Sequence, residues 1–263
     1  KLSNKVEFIK ALPIEASWRG DDRELQLIVE DLANADLKVR EGVSVVGWHK
    51  DFFITKKECY SLNGLDTNPP VFLLPSSISF VSDLTARDID QSEWENLAKE
   101  ILLSIPNLHH PSCIWAIAGW FFLVPFTPFV RSIYRCFPIL QMYGSPGSGK
   151  SSLAWLFSKI FGVARPPVSV ERPPYSIIEE MSCTNSFPLI IDEYKITKSS
   201  AMRIDQLNLL LLENWIGVPT TRGRLEKNSL TGRGVQEYKL ISPTAIIGES
   251  PFLNAALIDR SIQ

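Results

Sequence analysis

The stretch Tyr143-Gly144-Ser145-Pro146-Gly147-Ser148-Gly149-Lys150-Ser151-Ser152 fits the pattern G-x-x-x-x-G-K-[ST] at every fixed position. Glycines in such a loop let the backbone NH groups point inward around a polyphosphate. An apolar run, residues 137–143, precedes the loop and predicts a buried strand, while residues 152–161 follow it with helical spacing. A strand, a glycine loop and a helix N-terminus together form an anion site. The sequence therefore predicts a nucleotide-binding loop.

Each part of the loop has an expected role toward ATP and Mg²⁺. Lys150 should reach the β and γ phosphates, and Ser151 should ligate Mg²⁺. The other contacts are expected from backbone NH groups and small side chains. The predicted nucleotide contacts within the loop are Gly144, Ser145, Pro146, Gly147, Ser148, Gly149, Lys150, Ser151 and Ser152.

Composition narrows the class of protein. A formal net charge of −2 excludes a globally basic nucleic-acid binder, so any such contact must come from a local patch. The four cysteines have no C-x-x-C pairing, which argues against a zinc site or a disulfide framework. A reducing cytosol is the simplest setting, and we expect a cytoplasmic location. The chain opens at Lys1, which suggests a fragment of something longer.

Residues 1–82 are predicted to form a small α+β module of unclear role. Residues 43–48 and 52–55 flank a polar turn and predict a β-hairpin, and residues 71–74 predict a further strand. The segment from Leu25 to Val29 fits a helix capped by Asp21 or Asp22 and fits a strand equally well. The hairpin carries three aromatic residues that favour core packing over a base-stacking platform: Trp48, Phe52 and Phe53.

Residues 83–112 are predicted to form a linking helix. Ser92 and Glu95 have the spacing of a capping box, and Pro106 should end the helix. Its apolar side chains recur on one face: Trp94, Leu97, Ile101 and Leu102.

Residues 113–124 form an unbroken apolar run of 12 residues. A membrane span needs about 20 such residues, and Pro125 interrupts this run. A buried core helix is therefore favoured over a membrane segment, and no membrane partner is expected.

After the loop, short apolar strands alternate with helical segments, which is typical of a parallel α/β sheet. Residues 187–193 form the most apolar of these strands and end in Asp192 and Glu193, like a Walker B motif. Adjacent carboxylates at the end of a buried strand are costly unless they serve an ion. Asp192 is expected to hold Mg²⁺, and Glu193 is expected to polarise the attacking water.

The segment 217–240 holds five basic and two acidic residues, so its local charge is opposite to that of the whole chain. Its glycines predict a β-hairpin with a basic tip, although a solvated loop is an alternative. The basic residues proposed for nucleic-acid contact are Arg222, Arg224, Lys227 and Arg233.

Residues 241–250 predict another core strand, whose polar end at Glu249 or Ser250 lies where a γ phosphate could be sensed. Residues 252–258 predict a helix that delivers Asp259 and Arg260.

The order of these parts resembles the AAA+ ATPases, and among them the helicase-like ATPases of phages, plasmids and mobile elements, related to superfamily 3 and MCM helicases. The resemblance covers residues 113–263. It implies a P-loop parallel sheet flanked by helices and a homo-oligomeric, hexameric ring. It further implies that the hairpin grips single-stranded DNA and that Arg260 completes the neighbouring subunit's site, making Lys150, Glu193 and Arg260 the catalytic residues.

The chain departs from this pattern in two respects. No asparagine in the sensor position is evident after Ile247, so Glu249 or Ser250 is the expected sensor, and the C-terminal lid of the family is absent from the sequence. The resulting hypothesis is a DNA helicase or translocase. A nucleotide switch without unwinding activity is the first alternative, and an ATP-binding structural subunit that does not hydrolyse ATP is the second.

Overall fold

The computed structural model describes residues 20–34, 40–74, 90–163, 166–197, 200–225 and 233–263. Within these ranges the helices are α1 (Asp22–Asn34), α2 (Gln91–Ser104), α3 (Pro111–Leu123), α4 (Thr127–Tyr134), α5 (Lys150–Ile160), α6 (Pro174–Ser182), α7 (Ala201–Ile216) and α8 (Ala255–Ile258). The strands are β1 (Glu41–Val43), β2 (Gly47–His49), β3 (Phe52–Ile54), β4 (Cys59–Ser61), β5 (Gly64–Leu65), β6 (Val71–Leu73), β7 (Ile139–Tyr143), β8 (Val168–Ser169), β9 (Leu189–Tyr194), β10 (Pro219–Leu225), β11 (Arg233–Lys239), β12 (Thr244–Gly248) and β13 (Ser261–Ile262).

The centre of the fold is a five-stranded sheet with the order β13-β7-β12-β9-β8. All four pairings are parallel. This confirms the predicted α/β sheet flanked by helices, which is consistent with a P-loop-like core. In parallel sheets the carboxyl ends of the strands meet at one edge, which is where α/β proteins bind ligands. The loops after β7, β8, β9 and β12 all leave from that edge.

The sheet is buried on both faces, which explains why its strands read as continuous apolar runs. In β7, Leu140 and Met142 pack in one cluster with residues of α3 and α5. Ile139, which points the other way, packs in a second cluster with residues of α6 and α7. Alternate residues of each strand therefore supply two separate cores.

The apolar run of residues 113–124 lies mostly in α3, which acts as a core helix. Ile114, Ala118, Trp120 and Phe121 are buried in the first cluster, and the Trp120 indole donates a hydrogen bond to Pro138 O at 2.8 Å. A 3₁₀ turn at Val124–Phe126 separates α3 from α4. By length and composition alone, the helical stretch Pro111–Tyr134 would suffice to cross a membrane, and it is the one such stretch within the described residues.

The structure decides between the two alternatives for the segment after Asp21 and corrects the predicted start of the linking helix. The segment after Asp21 is a helix, α1, because Asp21 accepts the Glu24 amide and Glu24 accepts the Asp21 amide, both at 2.9 Å. The predicted Ser92 cap of the linking helix is wrong. Asp90 is the N-cap, and its carboxylate accepts the Glu93 amide and the Ser92 hydroxyl, both at 2.7 Å. A carboxylate is a good cap because it complements the helix dipole.

The predicted hairpin of the N-terminal segment is confirmed, and its aromatic residues pack against the part of the chain that carries the five-stranded sheet. Strands β2 and β3 pair around a two-residue turn at Lys50 and Asp51. The Trp48 indole NH donates to Pro125 O at 3.0 Å. The side-chain amide of Asn185 accepts the Trp48 backbone NH at 3.0 Å and donates to the Trp48 carbonyl at 2.8 Å. The Trp48 ring also contacts Phe53 edge-on, with centroids 5.2 Å apart. Core packing of this hairpin is thus what the structure shows.

Gly47 makes this docking possible. Its φ is +121°, and an added Cβ would lie 2.0 Å from Asn185 Oδ1 and 2.6 Å from Ser186 Oγ. Only glycine tolerates both the backbone conformation and the close approach.

We expect Gly47→Ala to lower the melting temperature measurably, because the methyl group adds a clash to a strained backbone. Gly64→Ala is the matched control, since Gly64 has a φ of +100° with nothing within 4 Å of an added Cβ. Calorimetry gives the melting temperature of both variants, and the difference between them separates the effect of backbone strain from that of the clash with Asn185 and Ser186. Equal destabilisation of the two would show that the contact with Asn185 contributes little.

Candidate nucleotide site

The glycine loop (residues 144–149) leaves the carboxyl end of β7 and ends where α5 begins at Lys150, two residues earlier than predicted. Gly144, Gly147 and Gly149 have φ values of +151°, +78° and +82°. Residues with a Cβ are strained in this region, so the glycines are needed for the path of the chain. The loop therefore has the strand, glycine turn and helix N-terminus that form an anion site.

The Lys150 ammonium folds over the loop that precedes it. Its Nζ donates to Gly144 O at 3.0 Å, to Ser145 O at 2.8 Å and to Ser148 Oγ at 2.9 Å. All three acceptors are neutral groups. A bound phosphate would offer stronger, charge-assisted hydrogen bonds than these acceptors do.

Ser151 and Asp192 meet across the edge of the sheet. The Ser151 hydroxyl donates to Asp192 Oδ2 at 2.8 Å, although the two residues are 41 positions apart. A hydroxyl and a carboxylate are hard oxygen donors, which suit Mg²⁺ bound by one or two protein ligands, phosphate oxygens and water. The pair therefore fits the predicted Mg²⁺ site.

A β-bulge sets the position of Glu193. Ile191 pairs with Ile246 and Tyr194 pairs with Gly248, so Asp192 and Glu193 together lie opposite the single residue Ile247. Glu193 has a φ of +70°, and its amide donates to Asp192 Oδ1 at 2.7 Å. Bulges of this kind re-aim side chains and are common beside active sites. The bulge allows two consecutive carboxylates to emerge at the same edge of the sheet.

Two residues nearby explain this local geometry. An added Cβ at Gly248 would lie 1.9 Å from Tyr194 O, so glycine is required where β12 runs close to the bulge. On the other side, the Ser169 hydroxyl of β8 donates a hydrogen bond to Glu193 Oε2. The sequence analysis missed Ser169, because only the pairing of Ser169 with Asp192 brings β8 beside β9.

Glu249 follows β12 at the same edge and forms an ion pair with Lys195, with 2.5 Å between Oε2 and Nζ. The sequence analysis missed Lys195, which comes one residue after β9. Ser250, the other predicted sensor residue, has a backbone partner instead: its hydroxyl accepts the Ile196 amide at 3.2 Å. The predicted role of Glu249 as a nucleotide contact stays a prediction.

Arg260 lies away from these groups. It immediately precedes β13, and its carbonyl accepts the Ile139 amide at 3.1 Å, which places it at the amino end of β7. The glycine loop is at the other end of that strand, about 13 Å farther along. The Arg260 guanidinium stacks over the Trp215 ring at 4.8 Å and donates to Ala256 O at 2.6 Å. Within one chain, Arg260 does not join the site.

The predicted basic hairpin is present as β10 and β11. The two strands pair in antiparallel fashion, with Pro219 opposite Lys239 at one end and Leu225 opposite Arg233 at the other. Arg222 and Arg224 lie on β10 and Arg233 begins β11, while Lys227 lies outside the described residues. At its base, the Tyr238 hydroxyl lies 3.0 Å from that of Tyr175 in α6.

Arg131 of α4 fixes the segments that flank the hairpin. Its guanidinium donates to Asn214 O at 2.7 Å and to Ile241 O at 2.5 Å. Burial lowers the pKa of Arg131 to about 10, which leaves it charged at neutral pH. The end of α7 and the start of the segment that leads to β12 are thus held by one partly buried cation.

Comparison with known proteins gives one finding about the fold. No protein-family model matches the chain, and no curated protein matches its sequence. A solved structure described as "SCCmec type IV Cch - active helicase" superposes with a TM-score of 0.54 at 16% identity. The match covers 92% of this chain and 43% of that chain, so this chain spans less than half of the helicase's length. The chain therefore has a helicase-like fold.

Proposed function

We propose that this chain is an ATP-hydrolysing motor of the AAA+ type, a cytoplasmic DNA helicase or translocase that acts on single-stranded DNA as a homo-oligomeric, hexameric ring. The observation that carries the proposal is the 2.8 Å contact between Ser151 and Asp192. It joins the glycine loop to the strand whose next residue is Glu193. A chance glycine turn would have no reason to meet a pair of carboxylates at the end of a buried strand.

In this proposal different groups of the chain bind the phosphates, hold Mg²⁺ and accept the proton of the attacking water. The NH groups of the glycine loop and the Lys150 ammonium bind the phosphates, and Ser151 and Asp192 hold Mg²⁺, which when bound neutralises phosphate charge. Glu193 accepts a proton from the attacking water as the bond to the terminal phosphate breaks. The Ser169 hydroxyl, which donates to Glu193, holds that carboxylate in place.

Nucleic-acid binding is assigned to the hairpin of β10 and β11. The ladder places Arg222, Arg224 and Arg233 on its two strands, and Lys227 belongs to the segment that joins them. The segment that begins at Leu240 directly follows the hairpin and leads into β12. The carboxyl end of β12 adjoins the glycine loop, because Gly248 pairs with Tyr143. A change at the nucleotide site could therefore be transmitted to the hairpin through one continuous segment.

We expect that replacing Arg222, Arg224, Lys227 and Arg233 with glutamine weakens single-stranded DNA binding for all sequences. Each lost phosphate contact should flatten the slope of log affinity against log salt by about 0.7. ATP turnover without DNA should persist, and its stimulation by DNA should be lost. Fluorescence anisotropy at several salt concentrations and an ATPase assay with and without DNA measure both effects.

The control variant removes four exposed cations elsewhere, Arg23, Lys56, Lys99 and Lys159, and thus makes the same change in net charge. If the hairpin variant binds DNA and responds to it as the wild type does, the nucleotide switch becomes the better function. If the wild type binds ATP without turnover, the structural-subunit alternative is supported.

A further inference from the structure

The ion pair between Lys195 and Glu249 lies at the edge of the sheet where the candidate nucleotide site is. The two side chains keep 55% and 40% of their surface exposed. Exposed ion pairs contribute little to the free energy of folding, typically about 0–1 kcal/mol. Stability therefore does not account for two opposite charges held together at this position, and a role in the site has to be considered.

The strand register fixes how close this pair is to the glycine loop. Gly248 of β12 pairs with Tyr143 on one side and with Tyr194 on the other. Gly144, Glu249 and Lys195 each follow one of these three residues. Neighbouring strands lie about 4.8 Å apart, so the three backbones emerge side by side at the carboxyl edge. Glu249 is in the middle, between the loop and Lys195.

The backbone beneath the pair is held firmly. Tyr194 O accepts the Glu249 amide at 3.0 Å and also lies close to Gly248. Ser250 is anchored from β7, because Gln141 donates to Ser250 O at 3.3 Å and accepts the Phe252 amide at 3.1 Å. The side chains of Lys195 and Glu249 can therefore move while the turns that carry them stay in place.

The chemistry of the site indicates which of the two charges faces a ligand. A nucleoside triphosphate is strongly anionic, so it repels the Glu249 carboxylate and attracts the Lys195 ammonium. The NH groups of the loop between β7 and α5 would hold the inner phosphates, whereas Lys195 directly follows β9 and lies two residues beyond Glu193. The terminal phosphate, where Glu193 would act, is therefore the one that Lys195 can reach.

We infer that Lys195 binds the terminal phosphate of a nucleoside triphosphate and that Glu249 holds Lys195 at the edge of the site when that phosphate is absent. The inference rests on the proposed nucleotide function and makes it more specific. It assigns Lys195 as a binding residue and Glu249 as a positioning residue. Glu249 then contributes to nucleotide sensing through Lys195, without touching the nucleotide itself.

The two partners of the pair should therefore have opposite effects on triphosphate binding. Lys195→Gln should lower the affinity for a non-hydrolysable ATP analogue by about 10-fold or more, the range of a lost charge-assisted hydrogen bond. ADP affinity should stay within about twofold. Glu249→Gln should raise affinity for the ATP analogue several-fold, because Lys195 no longer has a competing partner. Isothermal titration calorimetry with ADP and with the analogue measures both constants.

Opposite signs distinguish this role from a structural one, since either substitution breaks the ion pair equally. Lys195→Arg should keep the preference for triphosphate, and Lys99→Gln, an exposed lysine on α2, should change neither constant. If Lys195→Gln does not fold, Glu249→Gln and Lys195→Arg still decide the matter. Wild type that binds neither nucleotide would refute the proposed function itself. Two results would refute only this inference, provided that the wild type binds both nucleotides. One is an unchanged ratio of ATP-analogue to ADP affinity in Lys195→Gln, and the other is a change of the same sign in the ATP-analogue affinity of Lys195→Gln and Glu249→Gln.

Discussion

Glu193→Gln is expected to lower ATP turnover by about 10²-fold or more while leaving ATP binding intact. The two adjacent carboxylates at the bulge in β9 have different partners. Asp192 accepts the Ser151 hydroxyl at 2.8 Å, whereas the Glu193 carboxylate receives a hydrogen bond from Ser169 on the neighbouring strand. Glutamine keeps the size and polarity of the side chain but does not take a proton from water. The chemical step should fail, and the binding step should not.

A single-turnover assay with radiolabelled ATP measures the chemical step, and calorimetry measures binding. Glu95→Gln is the control, because Glu95 is an exposed glutamate on α2 and the same substitution there should change neither quantity. Loss of ATP binding in Glu193→Gln would reassign Glu193 to the metal site or to the fold. An unchanged rate would remove the general base from this position.

The parts of the fold that the sequence predicts well are those with a local physical cause. The strand of residues 139–143 and the loop after it follow from an apolar run and from glycines at fixed spacing, and both are present. The strand that ends in Asp192 and Glu193 is equally predictable from the sequence, because a strand buried on both faces has no polar residue until it reaches the edge of the sheet. Gly217 ends α7 with a φ of +79°, the left-handed conformation that glycine favours at the end of a helix.

Other features depend on residues that only the folded chain brings together. The contact of Ser169 with Glu193 follows from β8 pairing with β9, and that of Trp48 with Asn185 spans 137 positions. Lys195 gave no signal because a lone lysine after a strand is usually a solvated residue. The Asp90 cap was missed because Ser92 fits the same pattern, and the choice between them depends on backbone geometry.

The position of Arg260 limits how it can act. Arg260 lies at the amino end of β7, and the glycine loop follows the carboxyl end of the same strand. It also stacks on Trp215 and donates to Ala256 O. A side chain at that end of the sheet does not reach the nucleotide of its own chain. Any catalytic contact must therefore be made to the site of a neighbouring subunit, after the guanidinium leaves Trp215.

Arg260→Ala is therefore expected to lower ATP turnover by about 10³-fold or more without loss of ATP binding, because an arginine supplied across a subunit boundary stabilises charge on the transferred phosphoryl group. Arg260→Lys should recover little, since lysine lacks the planar fork. Arg23→Ala, at an exposed arginine of α1, is the control, and thermal unfolding of each variant shows whether lost stacking on Trp215 has disturbed the fold.

The decisive measurement mixes the Arg260→Ala variant with Lys150→Ala, which keeps Arg260 but is expected not to bind ATP. An intact site can then form where a Lys150→Ala subunit presents Arg260 to an Arg260→Ala subunit that holds ATP, so part of the turnover should return at suitable mixing ratios. The recovery should disappear on dilution to concentrations at which the subunits separate. Full turnover by isolated monomers, or no recovery at any ratio in a mixture shown to assemble, would mean that Arg260 has only the structural role seen against Trp215.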